Sequence, residues 1–378
     1  MIVLLIITAV VLLLYAACME YYRHGWVQLP ENQSLQHPPT TGVTILIAAR
    51  NEEANLPALL TSIGRQTYPM NLLEVLVIDD HSTDATAEIA GSYPFVQVLN
   101  LADYLTEPIT AYKKKALETG MLHSRGELII TTDADCVVLE QWVEHIVAFY
   151  EQHTCAMVVM PVVYQSPRTP LDVFQTLDFM SLQGITGAAI HLGLHPMGNG
   201  ANLAFSRRAF FEVNGYAGID HKASGDDILL IQKMDQAFPN GIAYLKSKEV
   251  IVETQPAPDC LSFFRQRIRW ASKSSAYQKE AMFIVMLLVY LLNVLLLVLP
   301  IMAVFSKHPA FFLISWVVMI AIKTLAELRL MMPVARFFNR SKWLRYFPLA
   351  QPFHIVYTVI SGALGLRGTY TWKERKVQ

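Results

Sequence analysis

Four apolar stretches constrain this chain before anything else does. Met1 to Cys18, "MIVLLIITAVVLLLYAAC", carries no charge and is just long enough to cross a bilayer. Ala281 to Phe305, "AMFIVMLLVYLLNVLLLVLPIMAVF", is a second candidate. Phe311 to Met332 is a third, with Lys323, Glu327 and Arg329 crowded near its end. Phe347 to Leu366 is weaker, interrupted by Pro348, Gln351, Pro352 and His354. The 378 residues are 53% hydrophobic and only 16% charged, against roughly 25% charged in soluble domains. Between the first and second stretches the composition is that of an ordinary soluble protein. The expected organisation is an N-terminal transmembrane anchor over 1–22, a globular domain over 40–255 and an amphipathic interfacial segment over 256–280. A C-terminal bundle of two to three membrane segments over 281–368 and a basic tail over 369–378 complete it.

The first stretch lacks the positive n-region of a signal peptide, although "YAAC" at Tyr15 to Cys18 has a faint likeness to a lipoprotein cleavage site. It is expected to stay as an anchor. Basic residues in short loops set orientation. Arg23 follows the first stretch; Arg265, Arg267, Arg269 and Lys273 precede the second; Arg336, Arg340, Lys342 and Arg345 follow the third. All three place the globular domain in the cytosol of a multi-pass protein of the cell membrane. The tail "WKERK" is basic too, which conflicts with a fourth full crossing, so the sequence leaves Phe347 to Leu366 open between a crossing and a re-entrant or interfacial segment. Cys18, Cys136, Cys155 and Cys260 show no metal or redox spacing and suit a reducing compartment. The formal net charge of −1 carries no argument for nucleic acid, and no nucleic-acid partner is expected.

The globular part alternates strand and helix. "VTILIA" at Val43 to Ala48, "LEVLVIDD" at Leu73 to Asp80, "VQVLN" at Val96 to Asn100 and "ELIITTDADC" at Glu127 to Cys136 read as buried strands. Helical patterns separate them, including "STDATAEIAGSY" with Ser82 or Thr83 as its expected N-cap, and Lys113 to Ser124. Such alternation predicts an α/β fold with a mostly parallel sheet. Ligands of such sheets gather at the carboxyl ends of the strands. Glu52, Asp79, Asp80, Asp133 and Asp135 all lie at or just after those ends, and are expected to converge on one crevice.

Carboxylates suit hard divalent cations, and magnesium is usually held by one or two of them together with substrate phosphates. Asp133 and Asp135 therefore read as a metal–diphosphate site, or, taken alone, as a solvated acidic turn. Asp79 and Asp80 could cap the next helix or accept hydrogen bonds from a nucleotide base and ribose. Asp226 and Asp227, in "ASGDDILLIQKM", open a helical pattern; Ser224 is an expected cap, and a general base is the competing role. The glycines of "GNGANLAF" would let backbone approach a ligand. "FFRQRIRWASKSS" reads as a basic interfacial helix that also puts Gln266, Arg269 and Trp270 on one side.

In this order the motifs resemble those of the family 2 glycosyltransferases, membrane-anchored inverting enzymes of the glycosyltransferase A fold. The matching pieces are "ILIAARNEEANLPALLTSIGRQTYP", "VLVIDDHSTDAT", "KKKALETGMLHSRGELIITTDADC", "GNGANLAF", "SGDDILL" and "QRIRW", together spanning about Val43 to Lys273. The resemblance implies that residues 40–255 are catalytic. It implies that Glu52 and Asp80, with Asp79, hold the base and ribose of a UDP- or GDP-sugar, and that Lys113 lies near that donor while Lys114 and Lys115 are plain surface charge. It makes Asp135 the ligand of Mg²⁺ or Mn²⁺ and puts Asp133 nearer the sugar. Asp226 matches the aspartate of the family's Glu-Asp base motif; the glutamate position is Gly225 here, so the choice between Asp226 and Asp227 stays open. Gln266, Arg269 and Trp270 match the Q-x-x-R-W signature of polymer and lipid-acceptor enzymes, with Arg269 placed to pair with the leaving diphosphate.

Three functions compete on this reading. The modest membrane bundle favours transfer of one sugar to a lipid or lipid-linked acceptor. The Q-x-x-R-W signature favours a processive synthase extending and exporting a glycan, with a partner or a homo-oligomer completing the conduit. A catalytically silent membrane scaffold is the remote third, disfavoured because the acidic set is complete.

Overall fold

The computed structural model describes residues 2–32, 40–105, 109–222, 224–273, 279–365, 370–372 and 375–377. Met1, residues 274–278 of the expected interfacial segment, 366–368 of the expected bundle and 369, 373, 374 and 378 of the expected tail lie outside them. The chain divides into two compact units. One comprises Met1–Leu29, Ser166–His195 and Pro256–Lys376, the other Pro30–Gln165, Pro196–Gln255 and Val377–Gln378. Residues 166–195 thus fall inside the range expected for the globular domain but group with the apolar helices.

The first unit begins with helix α1 (Ile2–Gln28). The second then opens on β1 (Val43–Ala49), α2 (Leu56–Ile63), β2 (Leu73–Asp79), α3 (Thr86–Gly91), β3 (Val96–Asn100), α4 (Tyr112–His123) and β4 (Leu128–Asp133). The four strands expected from sequence are all present. α5 (Trp142–Gln152), β5 (Met157–Val159) and β6 (Val162–Tyr164) follow; the chain crosses to the first unit for α6 (Pro170–His191) and returns as β7 (Leu203–Ser206), α7 (Arg207–Glu212), α8 (Ile228–Ala237), β8 (Ile242–Tyr244) and β9 (Val252–Thr254).

Seven strands form one sheet in the order β3-β2-β1-β4-β7-β5-β8. β3, β2, β1 and β4 run parallel, β7 lies antiparallel to both β4 and β5, and β5 and β8 are parallel again. The sheet is mixed and mostly parallel, as expected. Its β-branched strands are covered on both faces: Ile45, Leu46, Ile47, Leu76, Val77, Ile78, Ile129 and Ile130 are fully buried. Chain order reverses between β1 and β4, because β1 leads outward to β2 while β4 sits on its other side. That is the switch point at which open α/β sheets bind ligands. In register, Asp79 lies opposite Ala49 and Asp133 opposite Ala48, so the acidic strand ends are level.

The membrane unit adds α9 (Cys260–Ser272), α10 (Glu280–Val304), α11 (Pro309–Phe337) and α12 (Phe347–Gly365); two short strands, β10 (Tyr370–Trp372) and β11 (Arg375–Val377), close the chain. Three of its helices, α1, α10 and α11, are long and apolar enough to cross a membrane. They carry exposed large apolar side chains such as Ile6, Leu13, Phe283, Leu287, Ile314 and Val317. The charges in the third stretch are satisfied internally. Lys323 donates at 2.7 Å to both Glu327 and Gln351, Tyr15 donates to Glu327, and Arg329 pairs with Glu20. Lys323 and Glu327 pair as buried ionisable groups among apolar helices do, whereas the Arg329–Glu20 pair is exposed. Gln351, which interrupts the fourth apolar stretch, is thus the contact through which α12 joins α11.

α6 has no counterpart in the sequence reading. Thr169 caps it, with Asp172 completing a capping box, and Pro170 occupies its first turn. It buries residues on every side, so no amphipathic stripe announces it.

Candidate active site

The loops after β1 and β2 are knitted to each other. Asn51, at φ 52°, donates its backbone N–H to Ser82 Oγ at 3.0 Å and accepts from Thr83 N–H at 2.9 Å. Asp84 accepts from the backbone of Glu53 and Thr86, and the Glu53 carboxylate from that of Ala85. Neither Ser82 nor Thr83 is the N-cap expected from sequence. α3 starts only at Thr86, because these hydrogen bonds hold residues 82–85 in the loop.

Glu52 sits in this lattice, its N–H bonded to Thr86 Oγ1 at 2.8 Å and its carboxylate accepting from Asn55 at 2.9 Å. The two β2 aspartates differ. Asp80 Oδ1 meets His81 Nδ1 at 2.9 Å and lies 3.9 Å from Arg50. Asp79 Oδ2 accepts from Ser82 N–H at 3.2 Å, whereas Asp79 Oδ1 is buried with no hydrogen-bond partner among the described residues. A buried carboxylate oxygen left in this state has room to accept one more hydrogen bond.

Lys113 joins the rest of the acidic set. Its Nζ lies 2.7 Å from Asp133 Oδ1 and 3.0 Å from Asp226 Oδ2, which brings the end of β4 against the segment before α8. Burial opposes the ammonium charge, but the two carboxylates outweigh it and hold the Lys113 pKa well above its usual value. Gly200, from "GNGANLAF", completes the arrangement. A Cβ there would stand 3.1 Å from Asp226 Oδ2 and 3.6 Å from Lys113 Nζ, and its carbonyl accepts from Thr131 at 3.0 Å.

Asp226 and Asp227 make different contacts. Asp227 is the N-cap of α8, accepting from Ile228 N–H at 2.7 Å, while Asp226 faces Lys113. The expected cap, Ser224, is not used; its hydroxyl is buried without a partner among the described residues. Gly225, where the family carries glutamate, has φ 85°, a conformation any other side chain adopts only under strain.

Asp135 lies on the turn after β4. Burial, then the Asp133 and Glu52 carboxylates, raise its pKa from 3.8 to about 6. Thr254 donates to it at 3.3 Å. Among the described residues no three His, Cys, Asp or Glu side chains form a ready cation cage. One carboxylate destabilised by two others is nonetheless the donor set that a divalent cation shared with a diphosphate would relieve. Cys136 is fully buried, and burial pushes its thiol pKa up.

Lys114 and Asn202 hold the surrounding loops in place. Lys114 is not surface charge. It is 1% exposed, and its ammonium donates to the carbonyls of Ile219, Lys222 and Ser224 at 2.6, 2.7 and 3.2 Å, holding the loop that precedes Asp226. Lys115 does stay at the surface, beside Glu118. Asn202, within "GNGANLAF", is a buried pin: its amide donates at 2.8 Å to Pro161 and Val250 carbonyls and accepts from Trp142 at 3.0 Å. An asparagine among glycines signals a loop in sequence; nothing there marks three long-range partners.

Gln266, Arg269 and Trp270 lie on α9 and belong to the membrane unit. Asp259 caps that helix, accepting from Ser262 N–H at 2.8 Å. Phe263 is its buried contact with Phe174, Phe353 and Tyr357.

The sheet is mixed and mostly parallel, with aspartates level at its switch point, as expected of the glycosyltransferase A fold. Residues 44–213 match the family model described as Glycosyl transferase family 2. A β-monoglucosyldiacylglycerol synthase of Nostoc sp. is 35% identical over 114 residues, 29% of this chain and 24% of that protein. The probable glycosyltransferase YdaM of Bacillus subtilis is 26% identical over 243 residues, 61% of this chain and 54% of that protein. The chain thus spans between about a quarter and about half of these relatives' length. The solved mannosyltransferase PcManGT from Pyrobaculum calidifontis, in complex with GDP-Man and Mn²⁺, superposes with a TM-score of 0.56 at 19% identity, covering 96% of this chain and 97% of that one. At that identity the likeness speaks for the fold.

Proposed function

We propose that this protein transfers a sugar from a nucleotide-sugar donor to a hydroxyl of a lipid or lipid-linked acceptor, with inversion, at the cytosolic face of the cell membrane. The observation that carries this reading is the Lys113 bridge, which puts the aspartate nearer the sugar, Asp133, and the proposed base, Asp226, on one ammonium. Glu52, Asp79 and Asp80 hold the base and ribose, with Asp79 Oδ1 as the unsatisfied acceptor. Asp135 holds Mg²⁺ or Mn²⁺, which when bound with the donor diphosphate neutralises charge on the leaving group. Asp226 takes the acceptor's proton, a contribution of roughly 10²–10⁴ in rate. Asp227, engaged in the cap, leaves that role to Asp226. Gln266, Arg269 and Trp270 are assigned to donor binding on their motif alone. Three membrane-competent helices and the diacylglycerol-glycosylating relative support a lipid acceptor.

The Q-x-x-R-W motif on α9 favours a second reading, a processive glycan synthase. The test is a donor panel of UDP- and GDP-sugars with membrane lipids, read by nucleoside diphosphate release and mass spectrometry of the product. One added sugar supports the lipid transferase. A ladder of lengths supports the synthase, and no turnover with any donor supports a silent scaffold.

A further inference from the structure

The "QRIRW" stretch holds a residue that its signature does not name. Arg267 is 4% exposed, and a guanidinium so buried has to be paired. Its Nε and Nη2 donate to Asp178 Oδ2 on α6 at 3.0 and 2.7 Å. Tyr357 on α12 donates to the other oxygen, Asp178 Oδ1, so the carboxylate anchoring Arg267 is itself fixed. The remaining arm, Nη1, donates to Gln266 Oε1 at 2.7 Å. The guanidinium carbon lies 4.7 Å from the Phe263 ring centroid and 4.2 Å from that of Trp270. One planar cation therefore touches the glutamine and the tryptophan of the signature at once, and stacks on the latter.

We infer that Arg267 is the positioning residue of this motif. Anchored by Asp178 and Tyr357, it sets the orientation of the Gln266 amide and the Trp270 ring; that these meet the donor rests on the function proposed above. Lysine in its place keeps the charge but loses both the fork and the plane, so the two side chains are no longer held together. A plain structural ion pair between α6 and α9 makes a different prediction: any arrangement that restores opposite charges restores everything.

The test uses the full chain in lipid nanodiscs. Arg267→Lys is expected to lower kcat roughly 10–100-fold with little change in donor KM, since displacement of positioning groups acts on reacting geometry. Tyr357→Phe, which loosens Asp178 and leaves Arg267 in place, gives a smaller loss in the same direction. In the charge-swapped pair Asp178→Arg with Arg267→Asp, melting temperature moves back towards wild type while transfer stays low. Independently of any donor, the near-ultraviolet dichroism that wild type loses in Trp270→Phe is expected to collapse in Arg267→Lys as well. Wild-type kcat and an intact Trp270 signal in Arg267→Lys would overturn the inference, as would restored transfer in the swapped pair. If wild type turns over no donor, the proposed function fails, and the Trp270 signal alone decides on Arg267.

Discussion

Asp135→Asn separates what this carboxylate costs the fold from what it does for a cation. Burial, then the Asp133 and Glu52 carboxylates, push its pKa up from an ordinary 3.8 to about 6, which disfavours the ionised form by roughly 2–4 kcal/mol. The sign follows from proton linkage. Between about pH 4 and 6 the folded chain keeps a proton that the unfolded chain has released, so this group's contribution to stability falls as pH rises through that window. Above about pH 6 the whole penalty is in place. Asparagine keeps the shape and the Thr254 contact but removes the charge. In EDTA at pH 7.5 the variant is therefore expected to melt higher than wild type, by roughly 5–10 °C for a unit of this size. At pH 4.5 most of that difference disappears. Adding Mn²⁺ with a nucleoside diphosphate reverses the order, because bound ligand stabilises wild type and not the variant. The assay is thermal unfolding of the purified chain in nanodiscs at the two pH values, with and without Mn²⁺. A variant that melts lower than wild type in EDTA at pH 7.5, or one stabilised by Mn²⁺ as much as wild type, refutes the reasoning.

Lys113→Met leaves Asp133 and Asp226 facing each other without a cation; it is expected to lose about 1–3 kcal/mol of stability and most turnover, measured by urea unfolding and by diphosphate release. Gly200→Ala puts a methyl 3.1 Å from Asp226 Oδ2, and a drop in kcat of roughly tenfold or more with a nearly unchanged melting temperature is expected. Lys114→Met strips the Ile219, Lys222 and Ser224 carbonyls of their donor, and faster limited proteolysis within 215–225 checks it. Gly225→Glu restores the family's residue at φ 85°; strain of about 1–3 kcal/mol is expected to lower stability without raising turnover.

Much of the sheet-bearing unit is legible in sequence because its first strands are short apolar, β-branched runs, two of which end in acids. Val43 to Asp80 and Glu127 to Cys136 needed only that pattern, whereas the strand order that makes the switch point is visible only in the fold. The membrane helices are legible for a cruder reason, length and hydropathy. What stays hidden depends on partners remote in sequence. Lys114 reads like its neighbours Lys113 and Lys115, and only the fold sends its ammonium into a loop a hundred residues on. α6 lacks a stripe because several surfaces cover it. Gln351 looks like a flaw in an apolar segment until Lys323 and Glu327 are seen to need it. Which of Asp226 and Asp227 caps a helix turns on where α8 begins, a boundary that sequence places only to within a residue or two.

The central claim is a cation-assisted sugar transfer with Asp226 as base, and one comparison tests it most directly. Wild type, Asp226→Asn and Asp227→Asn are incubated with the donor panel and membrane lipids, and glycosylated product is counted by mass spectrometry with and without EDTA. The account predicts product from wild type that EDTA abolishes, a loss of roughly 10² or more in Asp226→Asn, and substantial turnover in Asp227→Asn. Wild-type turnover in Asp226→Asn, or transfer that survives EDTA, would contradict it.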